Sequence, residues 1–218
     1  MGGGQVAAFI DQLLKDMTHV RQSSPQQQCE LEVRLGELAD GEGFKPGIRE
    51  LALFDRAFDV LQKSDTFRGS STRAFLSAIA NDESQKQRRR RIEWHYDEKT
   101  RSTSVSALTK RMLRPHVDLS CRPDYPFDVR LALTEECKEE VSEDDQKRPF
   151  DTIRLRRTMR FRAWRMDWTV RFDGPQATLD AMHVELEYEP LPTTTVYADK
   201  DELIALLFVL AKALCANI

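Results

Sequence analysis

Two segments near opposite ends of the chain alternate charged and apolar residues, and each carries at least two glutamates. Residues 30–36 read ELEVRLG and residues 184–189 read VELEYE. Because successive side chains of a β-strand point to opposite faces, this spacing predicts two strands, each with one apolar and one charged face. The charged faces carry Glu30, Glu32 and Arg34 in the first strand and Glu185, Glu187 and Glu189 in the last.

Several segments between these two repeat the same alternation. The charged faces of residues 91–96, 102–112, 128–136 and 164–170 carry Arg91, Lys110, Arg130, Glu136, Arg165, Asp167 and Thr169. The most basic segment is 152–162, where one strand face carries Arg154, Arg156, Thr158, Arg160 and Arg162. A helix would scatter these arginines around its axis, so this segment is also predicted to be a strand.

Two arrangements accommodate so many charged strand faces. In the simpler one, the strands are ordinary antiparallel strands whose polar faces contact water. The alternative is favoured by the whole set, because one strand is nearly all arginine, another is all glutamate, and bulky outward residues such as Trp94, Trp164 and Trp168 need a cover. The sequence therefore favours an α+β fold with a closed antiparallel β-barrel of about eight strands, a charged lumen and surrounding α-helices.

Helical spacing of apolar residues predicts the covering helices. They are expected at about 5–20, 48–63 and 200–215, around core strands at about 29–189, in one domain that spans 1–218. Arg88–Arg90 is predicted to be a solvated loop, with nuclear import or RNA backbone contact as alternatives. Residues 138–149 are predicted to be a mobile connection, and Val196 to begin a short strand.

The overall composition points to no particular polymer or membrane. The chain has 33 basic and 36 acidic residues, so its net charge of −3 is close to neutral. The apolar run 203–214 is too short to span a bilayer, and no membrane partner is expected. Four widely spaced cysteines without a CxxC pair indicate reduced thiols in the cytosol or nucleus.

The charges that line such a barrel lumen must be balanced by opposite charges, because unpaired buried charge is costly. Its expected acidic residues are Glu30, Glu32, Glu136, Asp167, Glu185, Glu187 and Glu189, and its basic residues are Arg34, Arg91, Lys110, Arg130, Arg154, Arg156 and Arg165. The spacing leaves the facing of Arg160 and Arg162 open. Clustered carboxylates favour Mg²⁺ or Mn²⁺, and arginine forks suit phosphate oxygens. The lumen is therefore predicted to bind a metal-bound polyphosphate.

These residues resemble a known family. ELEVRLG at 30–36 and VELEYE at 184–189 are similar to the first and last strands of the triphosphate tunnel metalloenzymes, in particular the metal-dependent RNA 5′-triphosphatases of fungi and protozoa. TKR at 109–111, DVRLALTEE at 128–136 and RMDWT at 165–169 resemble the middle strands of that family, in the same order. The arginine-rich strand departs from the family, because it lacks the lysine expected between two arginines. Arg34 stands where relatives that act on small molecules have a lysine, which favours the RNA-capping branch.

The resemblance implies a role for each matched residue. The metal ligands would be Glu30, Glu32, Glu185 and Glu187. The phosphate-binding residues would be Arg34, Arg91, Lys110, Arg130, Arg154, Arg156, Arg160 and Arg165. Residues that organise water and neighbouring side chains would be Glu136, Asp167, Thr169 and Glu189, and Glu185 or Glu187 would orient or deprotonate the attacking water.

The implied reaction is hydrolysis of the γ-phosphate at the 5′-triphosphate end of nascent RNA, the first step of mRNA cap formation, in the nucleus. A capping guanylyltransferase is then an expected partner. Two alternatives stay open: a phosphohydrolase for inorganic triphosphate or nucleoside triphosphates, and a non-catalytic module that binds polyphosphate. The histidines are expected at the surface or in packing, and none is expected to act in catalysis. A cysteine nucleophile is not expected either, because no cysteine lies in a glycine-rich, arginine-ended loop.

Overall fold

A computed structural model of the chain describes residues 3–23, 29–39, 43–48, 52–81, 89–121, 125–173, 178–189 and 196–215. The helices in these ranges are α1 (Gly3–Ser23), α2 (Ala52–Leu61), α3 (Glu143–Lys147) and α4 (Val196–Cys215). The strands are β1 (Cys29–Ala39), β2 (Gly43–Pro46), β3 (Gly69–Asn81), β4 (Arg89–Asp97), β5 (Ser102–Met112), β6 (Val117–Leu119), β7 (Asp128–Glu139), β8 (Thr152–Arg160), β9 (Trp164–Asp173) and β10 (Thr178–Tyr188). None of the described helices is both long and apolar enough to cross a membrane.

Eight of the strands close into an antiparallel barrel. Their order is β1-β10-β9-β8-β3-β4-β5-β7, and β7 pairs with β1 to complete the ring. Strands β2 and β6 extend this sheet beside β1 and β7. Because directly opposed residues of antiparallel strands point to the same face, the pairings of Glu32 with Glu187, and of Arg34 with Glu185 and Arg130, set the charged face. The closed barrel predicted from the sequence is confirmed.

The outward strand faces form the hydrophobic core. Leu31, Val33 and Leu35 of β1 are fully buried, as are Trp164 and Trp168 of β9. They share one cluster with apolar residues of the helices, namely Ile10, Leu14 and Met17 of α1, Leu61 of α2, and Leu203, Leu206 and Leu210 of α4. Helices thus cover the β7-β1-β10-β9 side, and burial of these large side chains is the main force that holds the barrel closed.

The opposite side of the barrel is less covered than expected. Trp94 on the outer face of β4 is only half-buried, while Leu155 of β8 and Tyr96 of β4 are exposed. Arg157 of β8 lies outside the barrel, with its guanidinium 3.6 Å from the centroid of the Phe58 ring of α2. The prediction that helices cover all three tryptophans therefore holds for Trp164 and Trp168 but not for Trp94.

Two connections predicted to be irregular are ordered elements. Arg89 and Arg90 belong to β4 rather than to a loop, and Arg88 lies outside the described residues. Arg90 donates to both carboxylate oxygens of Asp145, at 2.5 and 2.7 Å. Asp145 also accepts from the backbone and side chain of Ser142, which forms a capping box for α3. This ion pair binds α3, which lies within the charged segment 138–149, to β4.

One further prediction from the sequence is wrong, and one strand is not predicted. Val196 begins helix α4 and not a strand, because the leucines that follow it recur at helical spacing and are buried. Strand β3 was not predicted at all. Its lumen face includes the apolar Phe75 between Arg73 and Ser77, so the alternation of charged and apolar residues that marks the other strands is absent there.

Candidate active site

Five glutamates line one part of the lumen, and we call them the acidic group: Glu30, Glu32, Glu136, Glu185 and Glu187. They come from the three neighbouring strands β7, β1 and β10, where Glu32 lies directly opposite Glu187. Glu32 and Glu187 are buried. The alternation within each strand and the closure between β1 and β7 together bring these side chains to one place.

Two basic residues compensate part of this acidic charge. Lys110 Nζ lies 3.0 Å from Glu30 Oε2, 3.4 Å from Glu136 Oε2 and 3.9 Å from Glu32 Oε2. Arg34 Nε lies 2.5 Å from Glu32 Oε1 and 3.1 Å from Glu185 Oε1. Lys110 and Arg34, which are predicted to bind phosphate, therefore both lie among the glutamates. Although burial opposes it, attraction to the carboxylates raises the pKa of Lys110 above its ordinary value.

The glutamates also affect one another. Burial, together with repulsion from Glu185, raises the pKa of Glu32. Burial raises the pKa of Glu187 to about 7, against attraction to Arg165 and Lys110 and with further repulsion from Glu30 and Glu32. In contrast, attraction to Arg34 and Lys110 outweighs burial and lowers the pKa of Glu185 to about 2. The acidic group thus keeps a deficit, namely negative charge that Lys110 and Arg34 do not compensate.

This deficit gives a testable dependence of stability on pH. Because the pKa of Glu187 in the folded protein, about 7, exceeds its ordinary value of 4.5, the folded state binds this proton more tightly than the unfolded state. The stabilisation by this group is complete below about pH 4.5 and is lost as the pH rises through 7. The difference in unfolding free energy between Glu187→Gln and the wild type should therefore increase in favour of the variant, by on the order of 1–3 kcal/mol, as the pH rises from 5 to 8.

Urea denaturation with a chelator present measures this difference. Glu143→Gln is the matched control, because the side chain of Glu143 in α3 is 87% exposed. A plot of its unfolding free energy against pH should run parallel to that of the wild type. Parallel curves for Glu187→Gln and the wild type would contradict the raised pKa.

A second cluster, which we call the arginine group, lines the wall formed by β9, β8 and β4. It consists of Arg91, Arg154, Arg156 and Arg171, and Arg154 lies directly opposite Arg171. Arg91 Nε lies 2.6 Å from Glu93 Oε1, and Arg156 Nη1 lies 3.6 Å from Asp167 Oδ2. Arg171 Nε donates to Asp173 at 2.8 Å. This part of the lumen is rich in guanidinium groups, and those of Arg91, Arg156 and Arg171 repel that of Arg154.

Arg154 is the least compensated member of the arginine group. Its Nε donates to Ser77 Oγ at 2.9 Å, and no carboxylate of a described residue lies within 4 Å of its guanidinium. Burial lowers the pKa of Arg154 to about 10, and repulsion from Arg91 and Arg171 adds to this effect. A partly buried guanidinium among other guanidiniums has donors available for an anion, and phosphate oxygens match its planar fork.

Asp167 connects the two clusters through a network of polar contacts. It accepts from Thr158 Oγ1 at 2.6 Å and from Arg165 Nε at 3.2 Å, and it is almost fully buried. Arg165 also forms short ion pairs with Glu187 and Glu189. Thr169 is buried directly opposite Arg156. The residues expected to organise neighbouring side chains therefore hold Arg165 and Arg156 in place.

Besides Arg34 and Arg165, three of the arginines considered from the sequence lie apart from the arginine group. Arg130 faces the lumen, but its guanidinium donates to Asp118 at 2.6 and 2.8 Å and stacks over Phe44. Arg160 has the register of a lumen residue but is exposed at the end of β8. Arg162 lies beyond β8, and its Nη2 donates to the carbonyl of Ala198 in α4.

Sequence reasoning missed several lumen residues. Arg73, Phe75 and Ser77 lie on β3, and register places all three on the lumen face. Glu93 is predicted to lie in a strand but has no predicted role, although it is buried. Burial would raise its pKa, but a hydrogen bond with His95 and attraction to Arg91 outweigh burial and lower the pKa to about 2. The sequence signal that was available for β3 is weak, because its residues are mostly small and do not alternate between charged and apolar.

The donor chemistry of the acidic group fits a hard divalent cation. Its carboxylate oxygens are the ligands that Mg²⁺ and Mn²⁺ prefer, and the raised pKa values of Glu32 and Glu187 reflect buried negative charge that a cation would relieve. Among the described residues, no set of three or more acidic, histidine or cysteine side chains already has the arrangement of a metal site. The glutamates are instead turned toward Lys110 and Arg34.

The closed barrel with opposite charges on its inner walls defines a triphosphate-tunnel fold, and comparison with solved structures confirms this fold. The Pct1 RNA triphosphatase of S. pombe is 16% identical to this chain, with a TM-score of 0.61 over 96% of this chain and 90% of that one. Pct1 in complex with the Spt5 CTD is 14% identical, with a TM-score of 0.62 over 88% and 82% of the two chains. At this identity the likeness concerns the fold alone. No protein-family model matches the chain, and no curated protein matches it.

Proposed function

We propose that this protein is a metal-dependent RNA 5′-triphosphatase, which hydrolyses the γ-phosphate of 5′-triphosphate-ended RNA. The observation that carries the proposal is the separation of charge inside one lumen. Buried glutamates on β1 and β10 face a wall that includes Arg154, whose guanidinium has no carboxylate partner among the described residues. A chain of phosphates with a bound cation complements both surfaces at once.

The glutamates would hold the cation. Glu30, Glu32, Glu185 and Glu187 would be ligands to Mg²⁺ or Mn²⁺, which when bound supplies positive charge to the γ-phosphate and makes its phosphorus more electrophilic. Lys110 lies within 4 Å of Glu30, Glu32 and Glu136. Its ammonium would therefore remain beside the cation and contribute to charge balance when phosphates are bound.

The arginine group would bind the phosphates and stabilise the transition state. Charge accumulates on phosphoryl oxygens during transfer, and preorganised donors aimed at these oxygens lower the barrier. Arg91 is held by Glu93 at 2.6 Å, and Arg156 lies 3.6 Å from Asp167, so both guanidiniums have a carboxylate beside them before phosphate binds. Arg165 would be positioned by Asp167 and Glu189, with Glu187 as its third partner.

The attacking water needs an acceptor for its proton. Glu187 is suited to this role because its pKa, about 7 before a cation binds, lies near the working pH and its carboxylate, within the acidic group, also contacts Arg165. Glu185 is the alternative, but its pKa of about 2 makes it a weaker base. No covalent intermediate is required, because water attacks the phosphorus directly.

Hydrolysis of this bond would prepare the RNA end for a guanylyltransferase, so we propose a place in nuclear mRNA capping, with a capping guanylyltransferase as a partner. The S. pombe protein of the same fold binds the Spt5 CTD, which supports an additional protein partner for this chain. A second candidate function is hydrolysis of inorganic triphosphate or nucleoside triphosphates, since the partly buried arginine group would bind any triphosphate.

The deciding experiment measures release of labelled γ-phosphate from triphosphate-ended RNA, ATP and tripolyphosphate, with Mg²⁺, with Mn²⁺ and with chelator. We expect release from RNA that requires the cation, and a higher kcat/KM for RNA than for the two small substrates. Equal or lower kcat/KM for RNA would favour the second candidate. No release from any substrate would leave a protein that binds polyphosphate without hydrolysing it.

A further inference from the structure

Two arginines on the lumen face are both exposed and uncompensated. Arg73 of β3 and Arg160 of β8 are exposed, and no carboxylate of a described residue lies within 4 Å of either guanidinium. Most other arginines on this face have an acidic partner, as Arg34, Arg91, Arg130, Arg156, Arg165 and Arg171 do. The positive charges of Arg73 and Arg160 are therefore not paired with a carboxylate in the described part of the chain.

Strand register places both arginines at the same mouth of the barrel. Arg73 lies directly opposite Arg156, and Arg160 lies directly opposite Arg165 and Gly69. Because directly opposed side chains share a face, Arg73 extends the basic lumen wall sideways from Arg156, and Arg160 extends it outward. Arg73 also lies beyond the first residue of β3 that pairs with β4, Phe75, and so at the same end of the barrel. Gly69 leaves open space beside Arg160, since a Cβ atom at that position would meet no atom within 4 Å.

The opposite mouth differs in its electrostatics. Arg130 and Arg171 lie at the ends of β7 and β9 there, and their guanidiniums are bound to Asp118 and Asp173. Neutralised arginines attract a polyanion less than free ones, and Glu189, an exposed carboxylate at the mouth of Arg160, is itself paired with Arg165. A negatively charged strand is therefore favoured at the mouth where the arginines are unpaired. The two mouths thus differ in their attraction for the part of a substrate that extends beyond its triphosphate.

We propose that Arg73 and Arg160 bind the first phosphodiester groups of the RNA, downstream of the triphosphate, and so select RNA over free nucleotides. This proposal rests on the proposed RNA triphosphatase function and adds the site that would distinguish the two substrate classes. Each arginine would donate to nonbridging phosphate oxygens, which gives affinity without base specificity. ATP and tripolyphosphate lack phosphodiesters at this position and would not contact either residue.

The test compares Arg73→Gln and Arg160→Gln with the wild type, using RNA of six nucleotides with a 5′-triphosphate, ATP and tripolyphosphate. We expect each substitution to lower kcat/KM for RNA about tenfold, the effect of losing one charge-assisted contact. The kcat/KM for both small substrates should change less than twofold. The matched control is Arg148→Gln, because exposed Arg148 lies beside Ala78 and Ile79 in the second half of β3, toward the other mouth.

A binding measurement provides a readout that is independent of catalysis. Fluorescence anisotropy of the labelled RNA at several salt concentrations should show a slope of log affinity against log salt that is smaller by about 0.7 in each variant, because one phosphate contact is lost. Equal losses for RNA and ATP, an equal loss in Arg148→Gln, or no loss would each overturn the proposal. Wild-type protein that releases no phosphate from RNA would instead refute the proposed function, and the binding measurement would then decide on Arg73 and Arg160.

Discussion

Replacing Glu187 with glutamine should lower kcat/KM for triphosphate-ended RNA by at least about a hundredfold while leaving the protein folded. Glutamine keeps the shape of the side chain but loses the charge of a proposed cation ligand and the basicity of a proposed proton acceptor. The fold should tolerate this change, because Glu187 is itself destabilised by burial and by Glu30 and Glu32. Arg165 also retains Asp167 and Glu189 as partners.

Phosphate release and thermal unfolding, measured on the same preparation, test this expectation. Glu143→Gln is again the control, because it makes the same chemical change on an 87% exposed side chain outside the barrel, and it should retain full activity. A Glu187→Gln variant with near wild-type kcat/KM would show that the proposed metal ligands are wrong. A variant that has lost activity together with its folding transition would mean that this residue serves the fold.

Replacing Arg154 with glutamine should have an effect of similar size by a different route. We expect kcat/KM to fall by about 100- to 1000-fold for RNA, ATP and tripolyphosphate alike, because the guanidinium would bind phosphates that all three substrates share. The unfolding free energy should stay constant or increase, since Arg154 is partly buried, has no carboxylate partner among the described residues and is repelled by Arg91 and Arg171. Loss of function with preserved or higher stability identifies a residue retained for ligand binding.

The matched control for this substitution lies on the same strand. Arg157→Gln removes the same group from the outer face of β8, where Arg157 stacks on Phe58 and lies 3.8 Å from Asp55. This variant should lose some stability and keep its kcat/KM. Added tripolyphosphate should raise the unfolding temperature of the wild type and of Arg157→Gln, but much less that of Arg154→Gln. Equal stabilisation of all three proteins would place the phosphates elsewhere.

Comparison of prediction and structure shows where pattern reasoning succeeded. The strands with glutamates were predictable because Glu30, Glu32, Glu185 and Glu187 alternate with large apolar residues that must be buried. A strand with a period of two has only one way to bury one face and keep the other polar. The closed barrel followed from the number of such strands and from Trp164 and Trp168, which are buried under the helices.

Strand β3 shows where the same reasoning fails. Phe75 lies on the lumen face and Ala74 and Ala78 on the outer face, so the strand lacks the contrast on which the prediction depends. It is held by its neighbours, because β8 and β4 pair with it on both sides. Arg73 was missed for this reason, although it lies directly opposite the predicted residue Arg156.

The sequence by itself determined which residues would face inward on most strands, because alternation in a strand is a local property of the backbone. Only the tertiary structure decided which inward residues meet. Lys110 lies among glutamates because β5 pairs with β7 in the register that opposes it to Glu136, and Arg130 is bound by Asp118 because β6 pairs with β7. These pairings depend on contacts between distant segments and on the closure of the barrel, which no local pattern encodes.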